Sequence, residues 1–267
     1  MFCGVRLTAF DKHVKQSKDK MLSFNEAKGR KLCRNQVSRE EWVKFNQSHL
    51  SRVYPSGSRV DSSNFCPITG WSSGCQLMAL NLQTNDVHRR LNDGRFQENG
   101  NCGYVLKPNL INDITSTRSI KLSIKILTGT CLPKPNESKR GECIDPYVQV
   151  CLYDIPLQGG KEISTIHSTR YESNNGFNPI FSSIHADLSH FKFRVQNPDV
   201  AILQFAVFDK DVGGNDFIAG ASVPVSCIRE GYRSVQLYDA NHKRNGAYEC
   251  ASLLVEVTKK SQDVKMW

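Results

Sequence analysis

The sequence predicts an α/β segment built on parallel strands followed by an antiparallel β-sandwich, and three observations carry this expectation. From Ile120 onward, apolar and polar residues alternate in short runs separated by turn residues. Before it, short apolar runs are separated by long polar stretches rich in Gly and Ser. With 267 residues, 39% hydrophobic and 23% charged, the chain is long enough for two ordinary domains, each burying a core.

In chain order, MFCGVRL at the start reads as the interior of a strand, and a helix is expected after SFNE. Ser23 and Glu26 form a Ser-x-x-Glu pattern, in which the serine caps the helix and the glutamate closes the box. Free N–H groups at a helix start beside a hydroxyl also suit an anion, so the cap and an anion-binding role are compatible. SHLSRVYP, CQLMALNL and CGYVLKP read as strands, and crossovers of this length fit parallel pairing. Three or four such strands cannot close an eight-stranded barrel, so either a partner segment completes it or the piece is unstable alone. The stretch 108–119 is the natural linker, which places the first unit at 1–112, the connection at 113–119 and the second unit at 120–267.

In the second unit IKLSIKIL puts Ile120, Leu122, Ile124 and Ile126 on one face, and DPYVQVCLYD does the same with Val148, Val150 and Leu152. AILQFAVFD groups Leu203, Phe205 and Val207, LLVEV groups Leu253, Val255 and Val257, and NNG at 174–176 and GGND at 213–216 mark turns. Strands of this spacing make an antiparallel sandwich.

The net charge of +9 is uneven. Residues 1–117 hold 17 Lys and Arg against 10 Asp and Glu, a balance of +7. A basic surface suits phosphate, on nucleic acid or on anionic lipid, and a solvated basic face has the same composition. No signal-peptide pattern and no stretch of membrane-spanning length is present, and the 10 cysteines are scattered without a CxxC pair. A cytoplasmic protein with reduced cysteines, several of them in strands, is the expectation.

Arg52 and Tyr54 sit two apart in LSRVYP and so point to one face where the strand ends. Barrel strand ends of this type form active-site mouths. The Arg fork matches phosphate and the Tyr ring offers a flat face to a cyclitol; an acid-paired Arg beside a Tyr at the core rim is the ordinary alternative. In the second unit Asp145, Asp209, Asp211 and Asp216 fall at strand ends, with Asn136 and Asn174 in turns. Carboxylates without His or Cys partners suit a hard cation such as calcium, although Asp and Asn also form turns for their own reasons.

LSRVYPSGSRVDSSNFCPITGWSSGCQLMALNLQT followed by FQENGNCGYVLKPNLIND closely resembles the second conserved barrel half, the Y region, of eukaryotic phosphoinositide-specific phospholipases C. LPKPN, IDPYVQV, NNGFNP and FDKDVGGNDFIAG resemble the C2 domain that follows it, most like delta- or zeta-type enzymes. The resemblance implies half of a TIM-like barrel plus a C2 sandwich, and a role in intracellular signalling. The implied reaction is calcium-dependent hydrolysis of phosphatidylinositol 4,5-bisphosphate to diacylglycerol and inositol 1,4,5-trisphosphate through a cyclic phosphate. The family's catalytic histidines, active-site calcium ligands and two head-group lysines belong to the X-region half of the barrel, which nothing in this sequence matches. No catalytic residue is therefore assigned, and the polypeptide is expected to be inactive alone.

What the resemblance carries over is Ser23 and Arg52 on the 4-phosphate side of the head group and Tyr54 against the inositol ring. It also places Asn136, Asp145, Asn174, Asp209, Asp211 and Asp216 at C2 calcium-loop positions, with the Cys143 carbonyl as an extra donor. Two departures fall on the apolar rim that enters the bilayer in relatives: Ser58 stands where delta-type enzymes carry Trp, and Arg30 replaces a leucine. Lys28, Arg30 and Lys31 then shift membrane attraction from burial toward charge.

The expected partners are phosphatidylinositol 4,5-bisphosphate, an anionic membrane surface reached peripherally, and an X-region half. The competing function is a non-catalytic, calcium-dependent phospholipid-binding module. Nucleic acid is not an expected partner, because the basic segment carries no nucleic-acid motif.

Overall fold

The computed structural model describes residues 21–108, 118–134, 143–182, 188–211 and 213–263. Strand β1, Met21–Asn25, and strand β2, Leu50–Tyr54, pair in parallel, and the short strand β3, Leu77–Met78, joins the other edge of β2. The expected parallel pairing is therefore present. Leu22, Phe24, Ser51 and Val53 point to one face and are buried beneath helices α1, Glu26–Arg34, and α2, Gln36–Asn46. The Phe24 and Trp42 rings meet edge-on at 5.4 Å. The indole N–H of Trp42 donates to Ser51 Oγ at 3.2 Å, which satisfies a polar group that burial would otherwise strand. On α1, Gly29 faces Phe24 and Val53, and a Cβ there would meet both in ordinary contact at 3.5 Å.

Three local expectations are corrected. Ser23 does not cap the helix: it lies within β1, and Asn25 is the N-cap, its Oδ1 accepting from the Lys28 N–H at 3.0 Å. The chain stays extended two residues longer because Phe24 must reach the buried side of the sheet to meet Trp42. The single helix expected after SFNE is two, broken at Asn35, which caps α2 through the Ser38 N–H. CGYVLKP forms no strand, and of CQLMALNL only Leu77–Met78 pairs. MFCGVRL and residues 109–117 of the expected linker lie outside the described residues.

Two four-stranded antiparallel sheets form the second unit. One has the order β10–β11–β4–β7, from Gly231–Gln236, Ser252–Asp263, Arg118–Thr130 and His190–Val195. The other has the order β6–β5–β8–β9, from Ile163–Ser168, Pro146–Asp154, Ile202–Asp209 and Asp216–Pro224. Leu122, Ile124, Ile126, Val148, Val150, Leu152, Leu203, Phe205, Val207, Leu253, Val255 and Val257 fill the space between the sheets, as the period of two requires.

Strand β8 is buried on both faces, so its outward residues Ile202, Gln204 and Ala206 need a second cover. They lie on the side to which the first unit docks: Ile202, Val200 and Ile155 share a core with Cys33, Trp42, Ile68 and Leu91. Helix α4, Val87–Gln97, lies against β8 and β9, with Gly94 pressed onto Ser222. Polar ties frame this seam. Arg95 donates to the Asp199 carbonyl at 2.7 Å, Thr69 donates to Glu162 at 2.6 Å, and the Gly160 N–H reaches the Cys33 carbonyl at 3.1 Å.

Candidate functional site: the open face of the parallel sheet

With its other face under α1 and α2, the parallel sheet turns Met21, Ser23, Asn25, Leu50, Arg52, Tyr54 and Leu77 to its second side, where all but the exposed Leu77 are half-buried. Parallel register sets their neighbours: Ser23 lies beside Arg52 and Asn25 beside Tyr54. The Arg52 guanidinium approaches Ser23 Oγ at 3.5 Å and lies 5.3 Å from the centre of the Tyr54 ring. The three residues expected to meet a substrate thus lie together on one face, Ser23 and Arg52 at the middle of β1 and β2 and Tyr54 at the C-terminal end of β2. Such an arrangement offers a planar cationic fork, a hydroxyl and an aromatic face on one surface, which suits a phosphorylated ring.

The loop after β2 is pinned to this corner by a group that the capping-box reading misplaced. Glu26 is 3% exposed and accepts from the Ser56 N–H at 3.0 Å and from Arg59 Nη2 at 2.9 Å, while also pairing with Arg30. A buried carboxylate needs such partners, and here they fix the turn carrying Ser56, Ser58 and Arg59 against the start of α1. Arg59 was not singled out from sequence. The signal that could have found it is an arginine seven residues after Arg52 in a serine-rich loop whose other charge is Asp61. Arg30, Lys31 and Arg34 line an open cleft with Ala27 and Asn35 along α1, so part of the positive charge expected of the first unit is gathered on this helix.

Of the described histidines, His49 stacks on Phe45, His167 packs on Phe191 and Phe193, and His242 stacks on Tyr238, whereas His88 is half-buried and feels the charge of Arg59 and Arg30. His190 contacts Ser123, and burial lowers the pKa of His88. Three cysteine thiols are held protonated by burial. Desolvation pushes the Cys66 thiol up to about 12 and the Cys75 and Cys151 thiols to about 11. All nine described cysteines are free, with Cys151 buried in β5 and Cys33 in α1.

At one end of the sandwich Asp145, Asn174, Asp209 and Asp216 come together. The Asp145 N–H donates to Asp209 Oδ1 at 2.7 Å, and the Asn174 N–H donates to Asp145 Oδ1 at 2.7 Å. Asp216 faces Asp209 across β8 and β9, and Asp211 follows two residues past the end of β8. Asn136 lies outside the described residues. The oxygen donors fit calcium in kind. Among the described residues, however, no group of three His, Cys, Asp or Glu side chains is arranged to hold a metal ion, and two of the carboxylates already accept backbone N–H groups.

Comparison with known proteins agrees with this architecture. Residues 1–110 match the family described as phosphatidylinositol-specific phospholipase C, Y domain, and residues 120–240 match the C2 domain. The chain is 38% identical over 226 residues to the delta-4 1-phosphatidylinositol 4,5-bisphosphate phosphodiesterase of Homo sapiens, covering 80% of this chain and 28% of that protein. It is 36% identical over 251 residues to the human delta-1 protein of the same name, covering 89% and 31%. The crystal structure of PLC21 from S. officinalis superposes with a TM-score of 0.80 at 28% identity, covering 99% of this chain and 33% of that one. The chain thus spans about a third or less of the length of these relatives. Across residues 1–110 and 120–240 it belongs to the phosphatidylinositol-specific phospholipase C family, as a Y domain followed by a C2 domain.

Proposed function

We propose that this chain supplies the head-group-recognising half of a phosphoinositide phospholipase C acting on phosphatidylinositol 4,5-bisphosphate at the cytoplasmic membrane surface. The observation that carries this reading is the convergence of Ser23, Arg52 and Tyr54 on the half-buried face of a parallel sheet, opposite the face packed under α1 and α2. In this role the Arg52 guanidinium and the Ser23 hydroxyl donate to the 4-phosphate, and the Tyr54 ring packs on the inositol. Tyr54 and Ser23 also limit the freedom of the Arg52 fork, so less entropy is lost on binding. That face of the sheet calls for a second set of strands, and the X-region half of the barrel is the segment whose shape and chemistry would complete it. Boundaries near 1–112 and 120–267 belong to this reading; β4 begins at Arg118, just inside the stretch assigned to the connection.

General acid–base groups are expected on that other half, because His49, His167, His190 and His242 are engaged in ring stacking or a hydrogen bond, and His88, the described histidine that feels Arg59 and Arg30, is disfavoured as a cation by burial. The purified 267-residue polypeptide should therefore release no inositol trisphosphate from labelled phosphatidylinositol 4,5-bisphosphate. Turnover by it alone would show that the catalytic groups are assigned to the wrong half.

For the sandwich we propose calcium-dependent docking on anionic lipid through Asn136, Asp145, Asn174, Asp209, Asp211 and Asp216. A cluster of carboxylates repels an acidic surface until a divalent cation neutralises it. Because Asp145 and Asp209 already hold backbone N–H groups, calcium affinity should be modest, micromolar or weaker. In liposome co-sedimentation, binding of the parent chain should rise with calcium, and that of the Asp209→Asn/Asp211→Asn double variant should not. Equal binding of the parent chain in chelator would make the C2 domain a scaffold rather than a switch.

A further inference from the structure

Glu26 opens helix α1 directly where β1 ends, and its carboxylate reaches across to the chain leaving β2. Its Oε1 accepts from the Ser56 N–H at 3.0 Å and from Arg59 Nε, and its Oε2 accepts from Arg59 Nη2 at 2.9 Å and from Arg30. Both oxygens are filled by donors, as a carboxylate that is 3% exposed requires. Only Pro55 separates the tethered Ser56 from Tyr54. The proline ring locks its own φ and confines the preceding residue to extended backbone, so few soft torsions remain between the held N–H and the Tyr54 Cα. The far end of the same loop is held separately. There the Asn64 N–H donates to Asp86 Oδ2 at 2.7 Å and its side-chain amide donates to the Asn81 carbonyl at 3.1 Å. Loss of the Glu26 tether therefore frees the end beside Tyr54 and leaves the other end in place.

We propose that Glu26 is a positioning residue for Tyr54, holding the ring where it backs the Arg52 guanidinium and meets the inositol. This rests on the assignment of the Ser23–Arg52–Tyr54 face to head-group recognition, and it adds the group that sets the geometry of that face. Arg59 grips Glu26 side-on through two N–H groups, which fixes the plane of the carboxylate and so the direction of its bond to Ser56. The Tyr54 ring centre lies 5.3 Å from the Arg52 guanidinium, and a small shift of the ring spoils a stacked geometry that binding depends on. The inositol ring is common to phosphatidylinositol and its bisphosphate. A residue acting through Tyr54 therefore affects both lipids, whereas Arg52 acts on the 4-phosphate alone.

The test is a double-mutant cycle with an X-region half fused upstream, reading kcat/KM on both lipids for the parent, Glu26→Gln, Tyr54→Ala and the double variant. Glutamine keeps the size of Glu26 and one acceptor oxygen, but it turns an NH2 group toward guanidinium donors. Glu26→Gln should lose roughly tenfold on both lipids and less than about twofold further in the Tyr54→Ala background, the non-additivity expected of residues joined in one network. A purely structural glutamate lowers the folded fraction and costs the same factor in both backgrounds, and that result would overturn the proposal. So would a loss confined to the bisphosphate, which places the effect on Arg52, or an undiminished rate. Tyr54→Ala with parental activity would remove the reading of the face and the proposal with it; a crippled Tyr54→Ala with an additive Glu26→Gln loss would remove the positioning role alone. Arg59→Gln, which leaves Glu26 its pair with Arg30, should repeat the pattern with a smaller loss and decides the matter if Glu26→Gln misfolds.

Discussion

Gly94→Ala should loosen the seam between the barrel half and the C2 domain. Alanine in a helix ordinarily stabilises it by about 1 kcal/mol relative to glycine, so a loss here would reverse the expected sign. The reason is steric. A Cβ on Gly94 would lie 2.3 Å from the Ser222 carbonyl oxygen and 2.5 Å from Ser222 Cβ, in strand β9, where backbone atoms cannot rotate away. Helix α4 must then lift, drawing with it fully buried Leu91, the Arg95 bond to Asp199 and the Arg90 guanidinium that sits 4.7 Å over the Phe217 ring. Overpacking of this kind costs about 1–3 kcal/mol, and more where neither side can yield. Hydrogen exchange should report faster opening of α4 and β9 while the β10–β11–β4–β7 sheet keeps its protection. Gly57→Ala, with nothing within 4 Å of its Cβ, is the control. Equal behaviour of the two variants would mean that α4 does not seat on β9.

That seam explains why the sandwich was legible in the sequence and its docking was not. Strands β4 and β11 have one buried face, so their apolar residues alternate and the period of two shows through. Strand β8 departs from alternation because its second face is covered by a distant segment, and a continuous apolar run does not say what covers it. The parallel sheet was legible in its strand ends: the two-residue spacing of Arg52 and Tyr54 placed both on one face, where the structure has them. Ser23 joined them through register with β2, which no local pattern encodes. The same Ser-x-x-Glu pattern pointed to a cap that does not form, because the burial of Phe24 outweighs a capping preference of about 1 kcal/mol. Glu26 was freed by that outcome to hold Arg59 and the Ser56 N–H, contacts that arise only when the loop after β2 folds back.

The acid end shows the opposite balance. Composition named the residues, yet the structure uses Asp145 and Asp209 as acceptors for backbone N–H groups, which is the ordinary turn-forming role of aspartate. Both roles can coexist, because each carboxylate has a second oxygen.

The most direct test of the central claim is a comparison of two substrates by the same pair of enzymes. With an X-region half fused upstream or added in trans, the parent chain should hydrolyse phosphatidylinositol 4,5-bisphosphate, and Arg52→Ala should lower kcat/KM for it by roughly ten- to a hundredfold, the equivalent of about 1.5–3 kcal/mol for a lost charge-assisted contact. On phosphatidylinositol, which lacks the 4-phosphate, the two should differ little, because Arg52 has nothing there to hold. A purely structural arginine would depress both substrates alike. An undiminished rate of the Arg52→Ala enzyme on the bisphosphate, or an equal loss on both lipids, would contradict the assignment of this face to head-group recognition.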